Sequence, residues 1–131
     1  MVRKLLALIA GLLTFWIVAT LIQLASGFIF GMPNPDILGN AEKMTAYVAQ
    51  MPVGAFIALL LSYVLSSFAS GYVARTISRS DSLIIPIVIG VLETIPWAYT
   101  ITQIPHPTWV VVLGFICYIP FTLLGHRVAS R

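Results

Sequence analysis

Charge is scarce in this chain. Only 8% of its 131 residues are Asp, Glu, Lys or Arg, and the acids number 4. With 60% hydrophobic residues, too few polar side chains remain to cover a water-soluble domain of this length. A soluble globular fold is excluded. Cysteine is nearly missing as well: Cys117 stands alone, which rules out an intrachain disulfide and makes it by default a packing residue. His106 and His126 fall at opposite ends of the last apolar run, so they do not share a metal, and no metal site is expected. Catalytic signatures are also lacking, with no G-x-S-x-G, H-E-x-x-H or Walker loop and no pair of acids at usable spacing. The expectation is a protein that is not an enzyme.

The chain instead holds long stretches of hydrocarbon. Runs able to cross a membrane core of roughly 30 Å, about 20 residues at about 1.5 Å each, are found. They lie near residues 5–30, 53–74, 82–102 and 108–125. They predict an all-α membrane protein, a four-transmembrane-helix bundle in a single domain over residues 1–131 with the lipid bilayer as its partner. The first run follows Arg3 and Lys4, yet it exceeds the roughly 7–15 residues of a signal-peptide core and no small-x-small site closes it. It reads as an uncleaved span. Arg3, Lys4, Arg75, Arg79, Arg127 and Arg131 lie on one side of the membrane and only Lys43 on the other. The positive-inside rule then predicts both termini in the cytoplasm. Charge reports topology here, and nucleic acid is not an expected partner.

The one substantial loop, residues 31–52, opens with the turn chemistry "MPNPD" and continues "NAEKMTAYVAQM". Asn40 can cap a helix over residues 41–51, Glu42 suits its first turn, and Pro52 stops it. Met44, Tyr47, Val48 and Met51 repeat at i, i+3, i+4 and i+7 opposite Glu42, Lys43, Thr45 and Gln50. That pattern predicts a short extracytoplasmic amphipathic helix in the interface; a lid over a cavity has the same signature. "MPNP" and "IPHP" place a P-x-P pattern at both outer turns, a faint sign of duplication.

Within the second run, Gly54, Ala58, Ser62, Ser66, Ser70 and Ala74 put a small residue at every fourth position. Small residues let helices approach closely in lipid, so this run is the expected packing centre. A period of four slants around a helix of about 3.6 residues per turn, which lets one stripe serve two neighbours. The same serines can also line a hydrated path.

Glu93 is the one acid inside an apolar run. About eleven residues from Ser82 at about 1.5 Å each place it near the bilayer centre, where a carboxylate costs on the order of 2–3 kcal/mol. A partner or a proton has to offset that cost. Counting heights puts Thr14, Trp16, Ser62 and Tyr63 at a similar level and Tyr118 somewhat lower, and Pro96 and Pro120 free the carbonyls of Leu92 and Ile116 nearby. Glu93 with Tyr63, Ser62, Thr14 and Tyr118 is therefore the candidate proton, cation or buried polar site. Three readings stay open: a transport site, an interhelical hydrogen bond, or a face toward another membrane subunit. In the outer loop, His106 between two prolines can sense pH or join Asp36 or Glu42 on a metal, though a lone histidine more often sits plainly at the interface. Trp109 suits the aromatic belt. Trp16 and Trp97 read equally as lipid-facing, core or pigment-contacting, so no cofactor is named.

The basic start, the long first span, the Pro-rich outer turn, "MP" before the second span, "IPHPTW" at 104–109 and "LLGHR" near the end form an ordered set. In that order of parts the chain resembles an uncharacterised family of small bacterial four-span inner-membrane proteins. The resemblance implies an inner-membrane location and no stated activity. Relatives carry an acid and a histidine in the outer part of helix one, where this chain reads "LIQLASGFIF". Small multidrug transporters share the four-span size and a membrane acid, but on helix one rather than in the third run. Two functions are carried forward: an accessory subunit docked in a larger membrane complex, and a proton- or cation-coupled small transporter or channel, with a homodimer as one way to enclose a path.

Overall fold

A computed structural model describes residues 2–31, 40–103 and 106–130. The turn "MPNPD", Asp36 and the Ile104–Pro105 part of the "IPHP" turn lie outside the described residues. The helices are α1 (Val2–Phe30), α2 (Ala41–Ala49), α3 (Val53–Ser78), α4 (Ile84–Gln103) and α5 (Thr108–Ala129). All but α2 are long and apolar enough to cross a membrane, and no strand occurs among the described residues. The chain is an all-α four-span bundle with a short amphipathic helix at one end.

α3 and α5 run past the ends of the apolar stretches, to Ser78 and Ala129. Their added turns carry Arg75 in α3 and His126 and Arg127 in α5, which complement the negative ends of the helix dipoles. Arg79 ends α3 in the left-handed region (φ 53°), its N–H on the Arg75 carbonyl at 2.9 Å. Alternate serines then carry the chain into α4. Ser78 Oγ accepts the Ser80 N–H, Ser80 Oγ the Ser82 N–H and Ser82 Oγ the Ile84 N–H, at 3.3, 3.2 and 3.4 Å. Arg75 pairs with Asp81 at 2.8 Å, and His126 Nε2 lies 3.1 Å from the Ser80 carbonyl, so the loop is pinned to α5 as well.

Around the bundle the order is α1, α3, α5, α4. α3 packs extensively on α1 and α5, α5 also on α4, while α4 touches α1 and α3 only sparsely. Short connections ordinarily make consecutive helices close neighbours, yet α3 and α4, joined by a short loop, stand across the bundle from each other. The cause is where the small residues lie. A Cβ on Gly71 would collide with the Thr122 backbone of α5, and one on Gly125 with the Phe68 backbone of α3. Gly11 of α1 sits against the Ser70 carbonyl and Ala74 Cβ, 3.1 and 3.3 Å from where its own Cβ would be. Glycine at these contacts brings backbones together and gains van der Waals contact in lipid, where hydrophobic burial drives little association. Ser70 and Ala74 face α1 while Gly71 faces α5, so the small-residue surface of α3 serves two neighbours. Ser62, Ser66, Ser67, Ser70, Ala74 and Ser78 are all buried, whereas Gly54 and Ala58 at the other end are half-buried.

α2 closes that other end. Asn40 Oδ1 accepts the Lys43 N–H at 3.1 Å, the N-cap bond read from the sequence. Val48 is buried in the core with Met44, Tyr47 and Met51 packed beside it, and Glu42, Lys43 and Gln50 point outward. Tyr47 Oη donates to the Gly31 carbonyl at 3.1 Å, fastening α2 to the end of α1.

The close backbone contact between α3 and α5 yields a direct expectation. Gly71→Ala or Gly125→Ala destabilises the bundle by about 1–3 kcal/mol or more, because rigid backbone has to move apart. Gly54→Ala, which meets only the Phe30 ring, costs less. Unfolding in bicelles checks this, and equal losses at all three positions contradict it.

Candidate functional site

Glu93 is carried on the inward face of α4, one turn before Pro96, and is 3% exposed. From there its carboxyl reaches across the centre of the bundle. Oε1 lies 2.6 Å from Ser70 Oγ and Oε2 lies 3.1 Å from Ser67 Oγ, both on α3; Thr122 Oγ1 of α5 is also 3.1 Å from Oε2. α3 and α4 make few other contacts, so this carboxyl is their main polar tie.

The hydroxyls around it have a second choice of partner. Ser70 Oγ is 2.9 Å from the Ser67 carbonyl, and Thr122 Oγ1 is 2.7 Å from the Tyr118 carbonyl. A hydroxyl has one proton to give and lone pairs to accept with. When Glu93 is ionised, Ser67, Ser70 and Thr122 can all donate to it. When Glu93 is protonated, it can donate from Oε1 to Ser70 Oγ while Ser70 and Thr122 turn their protons to the backbone carbonyls. Both charge states therefore find hydrogen-bond partners without a nearby cation.

On its other side Glu93 borders an inner cavity of about 150 Å³. Tyr63, Trp97 and Tyr118 form walls, and Thr20, Gln23 and Thr100 supply polar groups. An outer cavity of about 420 Å³ lies toward the α2 end, between α1, α3 and α2, with Tyr47 and Met51 on its α2 side. Thr20 and Gln23 line both cavities, so the two adjoin. Gln23 Nε2 sits 3.5 Å from Ser62 Oγ at this junction.

The residues grouped by height separate here. Glu93, Tyr63 and Tyr118 line the inner cavity together. Thr14 instead donates to the Ala10 carbonyl of its own helix at 2.7 Å. Ser62 donates to the Leu59 carbonyl and meets Gln23 rather than Glu93. Counting along the helix gives depth but ignores the phase of rotation, and phase decides which hydroxyl faces the acid. Ser67, Thr122, Thr20, Gln23 and Thr100 were missed for that reason. The Ser66–Ser67 doublet, which breaks the every-fourth stripe, and Thr122 one turn beyond Tyr118 were the available signals. Trp97 is core: its ring is seated against Gly114 and its Nε1 donates to the Val111 carbonyl at 3.4 Å. Trp16 is 54% exposed. His106 stacks edge-on with Trp97 at 5.1 Å between ring centres, and Trp109 meets Phe56 at 6.2 Å. No group of three or more potential metal ligands occurs among the described residues.

No protein-family model, curated protein or solved structure matches the chain.

Double-mutant cycles separate the true partners of Glu93 from its neighbours in height. Glu93→Gln combined with Ser70→Ala or Thr122→Val should show a coupling of about 0.6 kcal/mol, up to about 1.7. Glu93→Gln with Thr14→Val should show none. Coupling to Thr14 as large as to Ser70 contradicts the assignment.

Proposed function

We propose that the protein is a small proton-coupled transport protein of a bacterial inner membrane, with both termini in the cytoplasm and Glu93 as its proton-binding group. One observation carries this reading: a carboxyl supplied with hydrogen-bond partners in either charge state borders a cavity that adjoins a larger one toward the α2 end. An inner cavity of about 150 Å³ has room for about five waters, each taking roughly 30 Å³ in the liquid. Thr20, Gln23 and Thr100 offer such waters polar partners. A proton entering from the α2 end would reach Glu93 by this route.

On the far side of Glu93 the Gly71 and Gly125 contacts close the bundle tightly. Release to that side requires a helix to move. α4 is the element fitted for it, since it touches α1 and α3 sparsely and Pro96 removes one hydrogen bond from its ladder. In this reading the proton on Glu93 sets how firmly α4 is tied to α3 and α5, which couples charge state to helix position.

A second reading is that the chain is a non-enzymatic accessory subunit of a larger membrane complex, or a homodimer, with Glu93 as a structural tie. It is favoured by the burial of Glu93 and by all three hydrogen bonds lying inside the bundle. Proton flux decides between them. In liposomes holding a pH-sensitive dye, the wild type should carry protons down an imposed gradient, Thr14→Val should match it, and Glu93→Gln should fall to the empty-liposome rate. Equal flux in wild type and Glu93→Gln removes the transport reading. A stoichiometric larger complex in gentle detergent then supports the accessory one.

A further inference from the structure

The walls of the inner cavity form a continuous aromatic surface. Trp16 meets Phe15 at 5.9 Å between ring centres, Phe15 meets Tyr118 at 5.8 Å, Tyr118 meets Tyr63 at 5.3 Å and Tyr63 meets Trp97 at 5.5 Å. All five rings line the cavity that Glu93 borders. Among the described residues no Lys, Arg or His lines either cavity, and Glu93 is the one carboxyl that does, so the charge they offer is negative. Aromatic faces carry negative potential, and several of them around one carboxylate make a surface suited to a cation.

The kind of cation follows from the rest of the lining. A bare metal ion needs a cage of oxygen or nitrogen ligands, typically six or more oxygens for a hard divalent ion. These walls are mostly carbon. An organic ammonium, weakly hydrated and clothed in methyl or methylene groups, fits aromatic faces where a metal ion does not. The outer cavity adds room beyond an ammonium head. At about 420 Å³ it lies within the roughly 300–1,000 Å³ range of small-molecule sites. Leu24, Phe30, Met51, Ala55 and Leu59 make much of its wall, which suits a hydrocarbon or aromatic tail. Thr20 and Gln23 stand where the two cavities adjoin.

We propose that the two adjoining cavities together bind an organic ammonium ion, with its cationic head among the inner aromatic rings against Glu93 and its apolar tail reaching past Thr20 and Gln23 into the outer cavity. This rests on the proposed function, because the ammonium and the proton compete for one carboxylate. Binding to the protonated site releases that proton to water: the O–H bond of Glu93 breaks, the carboxylate keeps the electron pair, and the ammonium replaces the proton as its counter-charge. The titratable groups facing Glu93 from packed helices are Tyr63 of α3 and Tyr118 of α5; α1 presents none to the cavity. Neither tyrosine is a cation that the ligand would have to displace.

The test uses the full chain in nanodiscs, with benzyltrimethylammonium as probe and its uncharged carbon isostere, neopentylbenzene, as control. Tryptophan fluorescence reports binding and a dye in weak buffer reports protons. The ammonium should bind saturably and release protons, with affinity rising about tenfold per pH unit while Glu93 is mostly protonated. Glu93→Gln should weaken it by about tenfold or more, and Trp16→Leu, at a half-exposed ring whose loss leaves the core intact, by severalfold. The isostere should be indifferent to Glu93→Gln. Equal ammonium affinity in wild type and Glu93→Gln, or no saturable binding at any pH, overturns the inference. If Glu93-dependent proton flux persists while no ammonium binds, the ligand assignment alone fails. If the flux is independent of Glu93, the proposed function fails with it.

Discussion

The bundle is organised around one carboxyl that hydrocarbon cannot solvate. Glu93 on α4 satisfies its oxygens with Ser67 and Ser70 of α3 and Thr122 of α5, across the centre of the ring of helices. Membrane helices gain little from burying apolar surface against one another, since lipid is as apolar as their side chains. Polar ties and close backbone contact have to supply specificity. Here the two are arranged together: Gly71 and Gly125 bring α3 and α5 into backbone contact, and that contact holds the three hydroxyls where one acid can reach them.

The same geometry divides the molecule into a tight end and an open end. Toward the termini, glycine contacts, the serine-laddered loop and the Arg75–Asp81 pair hold α1, α3 and α5 close, and a groove of about 260 Å³ lies beside them where Leu83 of the loop meets Pro120, Leu124 and Arg127 of α5. Toward α2, larger side chains such as Phe56 and Trp97 fill the space between the helices, and the inner and outer cavities lie there. Glu93 stands at the boundary, with hydrogen-bond donors on the tight side and aromatic rings on the open side. An acid in that position is both held by the fold and accessible to small species from the cavity. Transport is supported by that combination more than by burial or by the cavity taken alone.

Much of the architecture was legible in the sequence because its signals are long-range in composition and short-range in geometry. Apolar run length gave the spans, a four-residue repeat marked α3 as the packing centre, and Asn40 with Met44, Tyr47 and Val48 marked α2 and its inward face. What escaped was relational. The order of helices around the ring depends on Gly71 meeting Thr122 and on Gly125 meeting Phe68, pairings between distant positions that no periodicity encodes. The partners of Glu93 depend on rotation about four axes at once, so a height count named Thr14 and Ser62 where phase selects Ser67 and Thr122. The helix ends at Ser78 and Ala129 lay beyond the apolar runs because helix outlasts hydrocarbon wherever polar residues can finish the last turn.

If Glu93 is the proton-binding group, it exchanges a proton while the bundle stays folded. Infrared difference spectroscopy of the protein in nanodiscs, titrated with pH and assigned by comparison with Glu93→Gln, tests this most directly. A carboxylic C=O band should disappear reversibly as pH rises, with a carboxylate band replacing it and the helical amide bands unchanged in intensity. A Glu93 band that stays in one protonation state until the helices unfold would contradict it, and would leave the carboxyl as a structural tie.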